Sequence, residues 1–334
     1  MKRRMLWLCL LLAVAVCLSV CGLGEAEVLK SGDYWYIVLE DGTAEITEYT
    51  GEAAALDIPG QLDRYVVTSI GDFAFFYCTS LTGVSIPDSI TEIGKNPFCG
   101  CTRLSVIKLS GNHPTLDVIG GVLFCKADRR LVCYPQGLTA ASYSVPRGIA
   151  TLGDDAFHAC ESLTAVEIPD TVTSIGDYAF SGCSILTSVS IPESVTSIGK
   201  GAFSGCSSLT SVSIPEGVTS IGNDAFSDCS SLTSVSISES VTSIGDYAFS
   251  SCSSLTSVSI LEGVTSIGDY AFRSCSSLTS VSIPASVTEI GEKAFANCVP
   301  SLQLTVPRDS YAAAYCEANG LPFVYPDSHD WLNE

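Results

Sequence analysis

Basic residues and histidine are scarce in this sequence. It contains 16 Lys and Arg against 36 Asp and Glu, which gives a net charge of −20 at pH 7, and only 3 His. A surface this negative repels the phosphate backbone of nucleic acids and the headgroups of anionic lipids. We therefore expect no nucleic-acid partner and no electrostatic attachment to a membrane.

Sequence motifs of catalytic sites are also missing. The sequence has no Gly-x-Ser-x-Gly elbow, His-Glu-x-x-His, phosphate-binding loop or Cys-x-x-Cys pair. Cys99-Gly100-Cys101 is too short and too isolated to predict a zinc site. His113, His158 and His329 stand in an insertion, a repeat turn and the tail. We expect no catalytic residue, no cofactor and no metal ion.

Residues 1–26 have the layout of a secretory signal peptide. Basic residues at 2–4 precede an apolar run over 5–20 and then small residues, with a cleavage position after Ala26. Lipidation of Cys21 and an uncleaved anchor are the alternatives. No later apolar stretch is long enough to span a bilayer. We expect a secreted or cell-surface protein that contacts a membrane only if Cys21 is lipidated.

The remaining chain is dominated by one repeated unit. The pattern of 199–221 returns from Gly222, Gly245 and Gly268. Nine Ile-Gly or Leu-Gly pairs recur in the repeat units, and a phenylalanine follows each of these glycines by four positions. In one unit, strand alternation points Leu209, Val212 and Ile214 inward and Thr210, Ser211 and Ser213 outward. A strict period of this length predicts a β-rich solenoid, in which stacked units share one core.

An aspartate column follows the Ile-Gly and Leu-Gly pairs. Lys95, Lys200 and Asn223 interrupt the column, and a calcium ladder would need it filled and supported by other oxygens. We interpret it as a solvated turn. Its members are Asp72, Asp154, Asp177, Asp246 and Asp269.

The ends of the array and one interruption differ from the repeat. Two β-rich runs around Asp41-Gly42 predict a hairpin that caps the core, although its aromatic residues could also form a binding patch. Ser310 to Gly320 reads as a capped helix that seals the other end. The predicted division is a signal peptide at 1–26, an N-terminal hairpin cap at 27–54, repeats at 55–109, an insertion with a β-hairpin at 110–148, repeats at 149–307, and a C-terminal helical cap and tail at 308–334.

The 16 cysteines would ordinarily predict disulfides in an exported chain. Most of them, however, recur once in every repeat unit, in one column before the apolar strand, which favours buried thiols. Cys125 and Cys133 are different, because they lie on the two arms of the predicted insertion hairpin. For this pair the sequence leaves both a disulfide and two free thiols open.

Lys126, Arg129 and Arg130 form the only concentrated basic spot after the predicted signal peptide in the acidic chain. They surround the predicted tip of the insertion hairpin. The spot could be a site for a specific partner or simply a solvated hairpin tip.

Two phrases of the repeat resemble a known family. Val241–Phe249 (VTSIGDYAF) and Cys206–Pro215 (CSSLTSVSIP) look like the BspA-type bacterial surface leucine-rich repeats, and the resemblance extends from about Tyr34 to Tyr325. It implies a leucine-rich repeat array exposed on, or released from, a bacterial cell. Members of that family are associated with adhesion to host matrix proteins and to other cells, but the resemblance implies no residue-level site.

Our leading functional hypothesis is a non-enzymatic, monomeric binding module whose partner is an extracellular or host protein or a glycan. A regular array suits weak contacts that are multiplied along a surface. The alternatives are a structural spacer or surface coat and, more remotely, a glycan-active enzyme. The candidate contact residues are Ser188, Ser190, Ser211, Ser213, Ser234, Ser236, Ser257, Ser259, Ser280 and Ser282.

Overall fold

Residues 27–326 are described by a computed structural model and form a solenoid of stacked coils. Each regular coil contains two short strands. The first arm carries the Ser-Val-Ser segment and the second arm ends at the isoleucine of the Ile-Gly pair. Paired strands of regular coils are parallel and in register at an offset of one repeat unit, as in Val212 opposite Val235. The sequence period is therefore the structural period, and the predicted β-rich solenoid is confirmed.

The N-terminal cap is an antiparallel meander of three strands, β1 (Val28–Ser31), β2 (Tyr34–Val38) and β3 (Ala44–Tyr49). The predicted hairpin corresponds to β2 and β3. The first array follows with β4 (Ala55–Asp57), β5 (Gln61–Leu62), β6 (Tyr65–Ile70), β7 (Gly83–Ile86), β8 (Glu92–Ile93) and β9 (Val106–Leu109). Strand β3 pairs in parallel with β6, so the cap covers the edge of the second-arm sheet.

The insertion is a second meander, built from β10 (Leu116–Ile119), β11 (Val122–Cys125) and β12 (Arg130–Cys133). Tyr134, directly after β12, corresponds to Tyr49, the last residue of β3. Each tyrosine amide donates to an alanine carbonyl of the next coil at 2.7 Å, and each ring packs on the next phenylalanine, at 5.5 Å for Tyr49 and 5.4 Å for Tyr134. The insertion therefore contacts the first coil of the second array in the same way that the N-terminal cap contacts the first coil of the first array.

The second array runs from Ser142 to Thr305, with first arms carrying odd numbers and second arms even numbers. Strand β12 pairs in parallel with Thr151–Leu152, the first of the second-arm strands in this array. The two arrays have separate hydrophobic cores, which adjoin at the insertion. The strands are β13 (Ser142–Ser144), β14 (Thr151–Leu152), β15 (Ala165–Glu167), β16 (Ser174–Ile175), β17 (Ser188–Ser190), β18 (Ser197–Ile198), β19 (Ser211–Ser213), β20 (Ser220–Ile221), β21 (Ser234–Ser236), β22 (Ser243–Ile244), β23 (Ser257–Ser259), β24 (Ser266–Ile267), β25 (Ser280–Ser282), β26 (Glu289–Ile290) and β27 (Gln303–Thr305).

The core of each coil is filled as strand alternation predicts. Leu209, Val212 and Ile214 are buried, whereas the intervening Thr210, Ser211 and Ser213 are exposed. The phenylalanines from Phe157 to Phe295 form one continuous stack, with neighbouring ring centres 4.8–5.5 Å apart and ring planes within 8° of parallel. Because each ring contacts the rings above and below it, one coil can complete its core only when its neighbours are present.

The cysteine column has a direct structural reason. The thiol of Cys206 donates to the carbonyl of Phe180 in the preceding coil at 3.2 Å, and burial raises its pKa. These cysteines are free thiols, as the column pattern predicted. The same bond, at 3.0–3.3 Å, is made by Cys101, Cys183, Cys206, Cys229, Cys252, Cys275 and Cys298.

The C-terminal end is closed by helix α1 (Tyr311–Asn319), followed by β28 (Phe323–Val324), which pairs with β27. Ser310 caps the helix by accepting a hydrogen bond from the amide of Ala313 at 3.1 Å, and Gly320 ends it at φ 64°. Between residues 27 and 326 no helix is long and apolar enough to cross a membrane. The predicted signal peptide at 1–26 and His329 lie outside the described residues.

Candidate interaction surface

The ten predicted contact serines lie on the first-arm strands β17, β19, β21, β23 and β25, and all of them are exposed. They form two columns, in which Ser211 stands opposite Ser234 and Ser213 opposite Ser236. At a strand spacing of about 4.8 Å, five strands extend over about 20 Å. Within residues 27–326, none of the ten hydroxyls is hydrogen-bonded to another protein group. We call these two columns the serine surface.

The threonine hydroxyls beside the serine surface are used differently. Thr187 donates to the carbonyl of Thr164 at 3.0 Å, and Thr233 donates to the carbonyl of Thr210 at 3.0 Å. These bonds run along the stack and hold successive coils together. The threonine column is therefore part of the scaffold, whereas the hydroxyls of the serine surface keep their donor and acceptor capacity for an external group.

The borders of the serine surface give it a distinct chemistry. Glu167 on β15 and Gln303 on β27 occupy the flanking strands at its two ends, and Glu167 accepts a hydrogen bond from Ser144 at 2.8 Å. Exposed glutamates follow four consecutive first arms, from β17 to β23, as at Glu216 and Glu239. The result is an uncharged band of hydroxyls with an acidic margin.

The basic residues of the insertion do not form one exposed patch. Lys126 donates from Nζ to the carbonyl of His113 at 2.7 Å. Arg130 is mostly buried: its Nε donates to Asp128 at 2.8 Å, and its guanidinium reaches back to β8. Arg129 is exposed at the turn. The candidate partner site at Lys126, Arg129 and Arg130 stays a prediction, although the guanidinium of Arg130 donates to the backbone of the first array.

Arg130 completes a sheet edge. In regular coils the carbonyl before the glycine accepts from the glycine amide of the next coil, as when Gly176 donates to Leu152 at 2.8 Å. Among residues 27–326, strand β8 has no such backbone partner on that side. Instead, the guanidinium of Arg130 donates to the carbonyls of Ile93 at 3.0 Å and Gly94 at 3.3 Å.

The possible disulfide between Cys125 and Cys133 is not formed. Both residues are buried free thiols, and burial raises the pKa of each. The hairpin register places Arg130 opposite Cys125 and Leu123 opposite Cys133, with a bulge between Leu123 and Phe124. The two cysteines are therefore not facing residues, which is the arrangement that a cross-strand bridge would need.

The aspartate column holds coils together. Asp154 accepts a hydrogen bond from the amide of Asp177 at 2.8 Å, and Asp177 accepts one from the amide of Lys200 at 2.7 Å. Asp72 and Asp154 also line a shallow, open depression of about 300 Å³ between the two arrays. This acid pair is tied to the backbone, and Asp154 is also ion-paired with Lys95 at 3.0 Å, so the depression gives little support to a glycan-active enzyme.

A cluster that the sequence analysis missed lies at the same junction. Cys99, Asp155 and His158 place one ligand-type atom each within 4.8 Å of the others. Cys99 and His158 directly follow Phe98 and Phe157, so they occupy the same slot of the repeat, which four consecutive later coils fill with serine. That shared slot is the signal that sequence reasoning could have used. Pairing Cys99 with its sequence neighbour Cys101 obscured it.

Comparisons with known proteins agree with this architecture. The family described as BspA type leucine rich repeat region matches with six copies over residues 59–128, 132–254 and 180–302. No curated protein sequence matches the chain.

Several solved structures are similar to the chain. A leucine-rich repeat protein from Eubacterium ventriosum is 22% identical over 84% of this chain and 96% of its own, with a TM-score of 0.65. A leucine rich cell surface protein from Faecalibacterium prausnitzii is 27% identical over 92% of this chain and 97% of its own, with a TM-score of 0.39. The first of these similarities supports the fold alone.

Proposed function

The chain belongs to the BspA-type leucine-rich repeat family, and from this premise we propose that it is a non-enzymatic binding protein that contacts an extracellular protein or glycan through the serine surface. One observation carries the proposal. Ten exposed hydroxyls stand in two columns without internal hydrogen bonds, while the adjacent threonine hydroxyls are bonded along the stack.

The chemistry of the surface favours an extended partner that offers hydroxyl or amide groups. A hydroxyl both donates and accepts, and an uncharged surface requires no buried ion pair. Single contacts of this kind are weak, but repetition at a fixed spacing lets many of them act together. The acidic margin at Glu216 and Glu239 would repel a polyanion.

The test measures binding of the purified chain to immobilised extracellular-matrix proteins and to a glycan array. The double variant Ser211→Glu/Ser234→Glu places two charges at the centre of the surface, and we expect it to weaken binding at least tenfold. The matched control is Ser197→Glu/Ser220→Glu, which adds the same charge to exposed positions of the second arms. Absence of any ligand in both panels, or equal effects of both variants, would contradict the proposal.

A structural spacer is the second candidate. It is favoured by the hydrogen bonds of the threonine and aspartate columns, which hold successive coils together without a ligand. The two candidates differ in their dependence on copy number. Deletion of one unit, residues 222–244, shortens both serine columns by one step. A binding surface of multiplied contacts loses affinity on this deletion, whereas a spacer that carries its ligand elsewhere keeps the affinity unchanged.

We also propose that the chain is exported and acts as a monomer at the cell surface or in the medium. The basic, apolar and small-residue order of residues 1–26 supports export. Mass spectrometry of the native protein reads its N-terminus and any lipid on Cys21. A protein recovered from the cytoplasm with Met1 still in place would contradict export.

A further inference from the structure

The junction between the two arrays is held by side chains where the backbone ladder is interrupted. Asn96 donates from its side chain to the carbonyl of Asp155 at 2.7 Å, and Lys95 is ion-paired with Asp154 at 3.0 Å. Together with Arg130, these contacts connect the last coil of the first array to the first coil of the second. A ligand bound at this junction would affect how the two arrays are joined.

Three side chains of different type converge at this junction. Cys99 is only 2% exposed and Asp155 is 9% exposed. His158 lies against them, with its Nδ1 3.4 Å from Oδ1 of Asp155. The sulfur, the carboxylate oxygen and the ring nitrogen lie within 4.8 Å of one another. They come from two separate coils, so the cluster spans the junction.

Within the described residues 27–326, two buried polar atoms at this place lack protein partners. Nδ1 of His158 is buried but accepts and donates no hydrogen bond, despite its closeness to Asp155. Gln136 donates from Nε2 to the carbonyl of His158 at 2.5 Å, while its Oε1 is buried without a partner. Buried polar atoms are almost always satisfied by protein, water or a ligand, so Nδ1 of His158 is free to bind one of the last two.

We propose that Cys99, Asp155 and His158 form a binding site for a divalent transition-metal ion, with Zn²⁺ as the best match. Thiolate, imidazole and carboxylate together are a ligand set that Zn²⁺ accepts, whereas Ca²⁺ and Mg²⁺ take oxygen ligands. Zinc–ligand bonds of about 2.0–2.3 Å place tetrahedral ligand atoms about 3.3–3.8 Å apart. The ligand-type atoms of the cluster lie within 4.8 Å of one another, so they would have to approach by up to about 1 Å to reach that geometry.

The ion would act as a cross-link between the arrays. It would join Cys99 of the first array to Asp155 and His158 of the second, at the point where few backbone hydrogen bonds connect them. Zinc binding displaces the thiol proton, because the thiolate is the ligand form. With three protein ligands, the fourth position is open to water.

The experiment measures zinc per chain by elemental mass spectrometry after the purified chain is incubated with Zn²⁺ and desalted. Substitution with Co²⁺ supplies a second readout, because a thiolate ligand gives a sulfur-to-cobalt charge-transfer band. The ligand variants are Cys99→Ser and His158→Gln. The matched controls are Cys298→Ser, in the thiol column far from the junction, and His329→Gln, in the tail.

We expect one zinc per chain in the wild type and in both controls. Each ligand variant loses more than about 10–100-fold in affinity, the range already seen when only an outer-shell partner is removed, and Cys99→Ser abolishes the charge-transfer band. His158 is partly exposed, so its variant keeps the test valid if the buried Cys99 substitution impairs folding. Sub-stoichiometric zinc in the wild type, or undiminished binding in a folded His158→Gln variant, would overturn the proposal.

Discussion

Replacing Arg130 with alanine is expected to destabilise the chain by about 2–4 kcal/mol, the sum of a lost hydrogen-bond donor and lost packing. The guanidinium donates to the carbonyls of Ile93 and Gly94. Ile93 is 7% exposed, and an unsatisfied buried carbonyl costs about 1–3 kcal/mol. The aliphatic stem of Arg130 lies close to Gly153, and loss of the packing of about one buried methylene adds about 1 kcal/mol.

The measurement is equilibrium unfolding in urea, followed by hydrogen exchange to locate the change. Arg103→Ala is the matched control, because Arg103 is an exposed arginine in a neighbouring coil, and we expect an effect within about 0.5 kcal/mol. Arg130→Lys should give an intermediate loss, since an ammonium keeps the charge but cannot donate as a planar fork. Hydrogen exchange should accelerate at the junction before it accelerates in the distal coils.

A loss at Arg130 no larger than that at Arg103 would refute the reasoning. It would mean that the carbonyl of Ile93 is satisfied by solvent and that β8 needs no edge protection. A loss spread evenly over all coils would contradict the localised role in a different way, because repeat arrays transmit stability mainly between neighbours.

Two further predictions concern the stack and the cap. Phe226→Ala removes a fully buried ring between two stacked neighbours and should cost about 3–5 kcal/mol in urea unfolding, more than Phe295→Ala at the end of the stack; equal losses would contradict the stacking argument. Hydrogen bonds from Ser31 and Tyr36 lower the pKa of Asp63, so their stabilisation is present above about pH 3.9 and is lost as the pH falls through the lower folded-state pKa. The protection of the cap amides, corrected for the pH dependence of intrinsic exchange, should fall over this acid range in the wild type. An Asp63→Asn cap that keeps the same acid dependence would contradict this assignment.

The serine surface shows that strand alternation alone can predict which residues are exposed. Strand alternation assigned Ser211 and Ser213 to the exposed side, and the structure agrees. Alternation could not distinguish these hydroxyls from that of Thr210, which is also polar and exposed. That distinction depends on which hydroxyl lies within reach of a carbonyl in the preceding coil, and it required coordinates.

The junction shows where sequence reasoning failed. Arg130 and Lys126 were grouped by their closeness in sequence, but their partners lie in the first array and in the loop before β10. Cys99 was judged beside Cys101, although its spatial neighbours are Asp155 and His158. Periodicity predicts contacts at an offset of one repeat unit. It cannot predict contacts between residues on the two sides of the insertion, where the period is broken.

The sequence by itself determined the solenoid, the inward and outward residues of each coil, the two caps and the free thiols of the cysteine column. These follow from a period that repeats the same local energetics in every coil. Only the tertiary structure decided how the arrays meet, because the restart at Tyr134, the edge protection by Arg130 and the cluster of Cys99, Asp155 and His158 each join residues from different coils across the insertion. A repeated pattern predicts how like units stack on each other. The contacts at a unique junction depend on distances between residues that do not recur in the sequence.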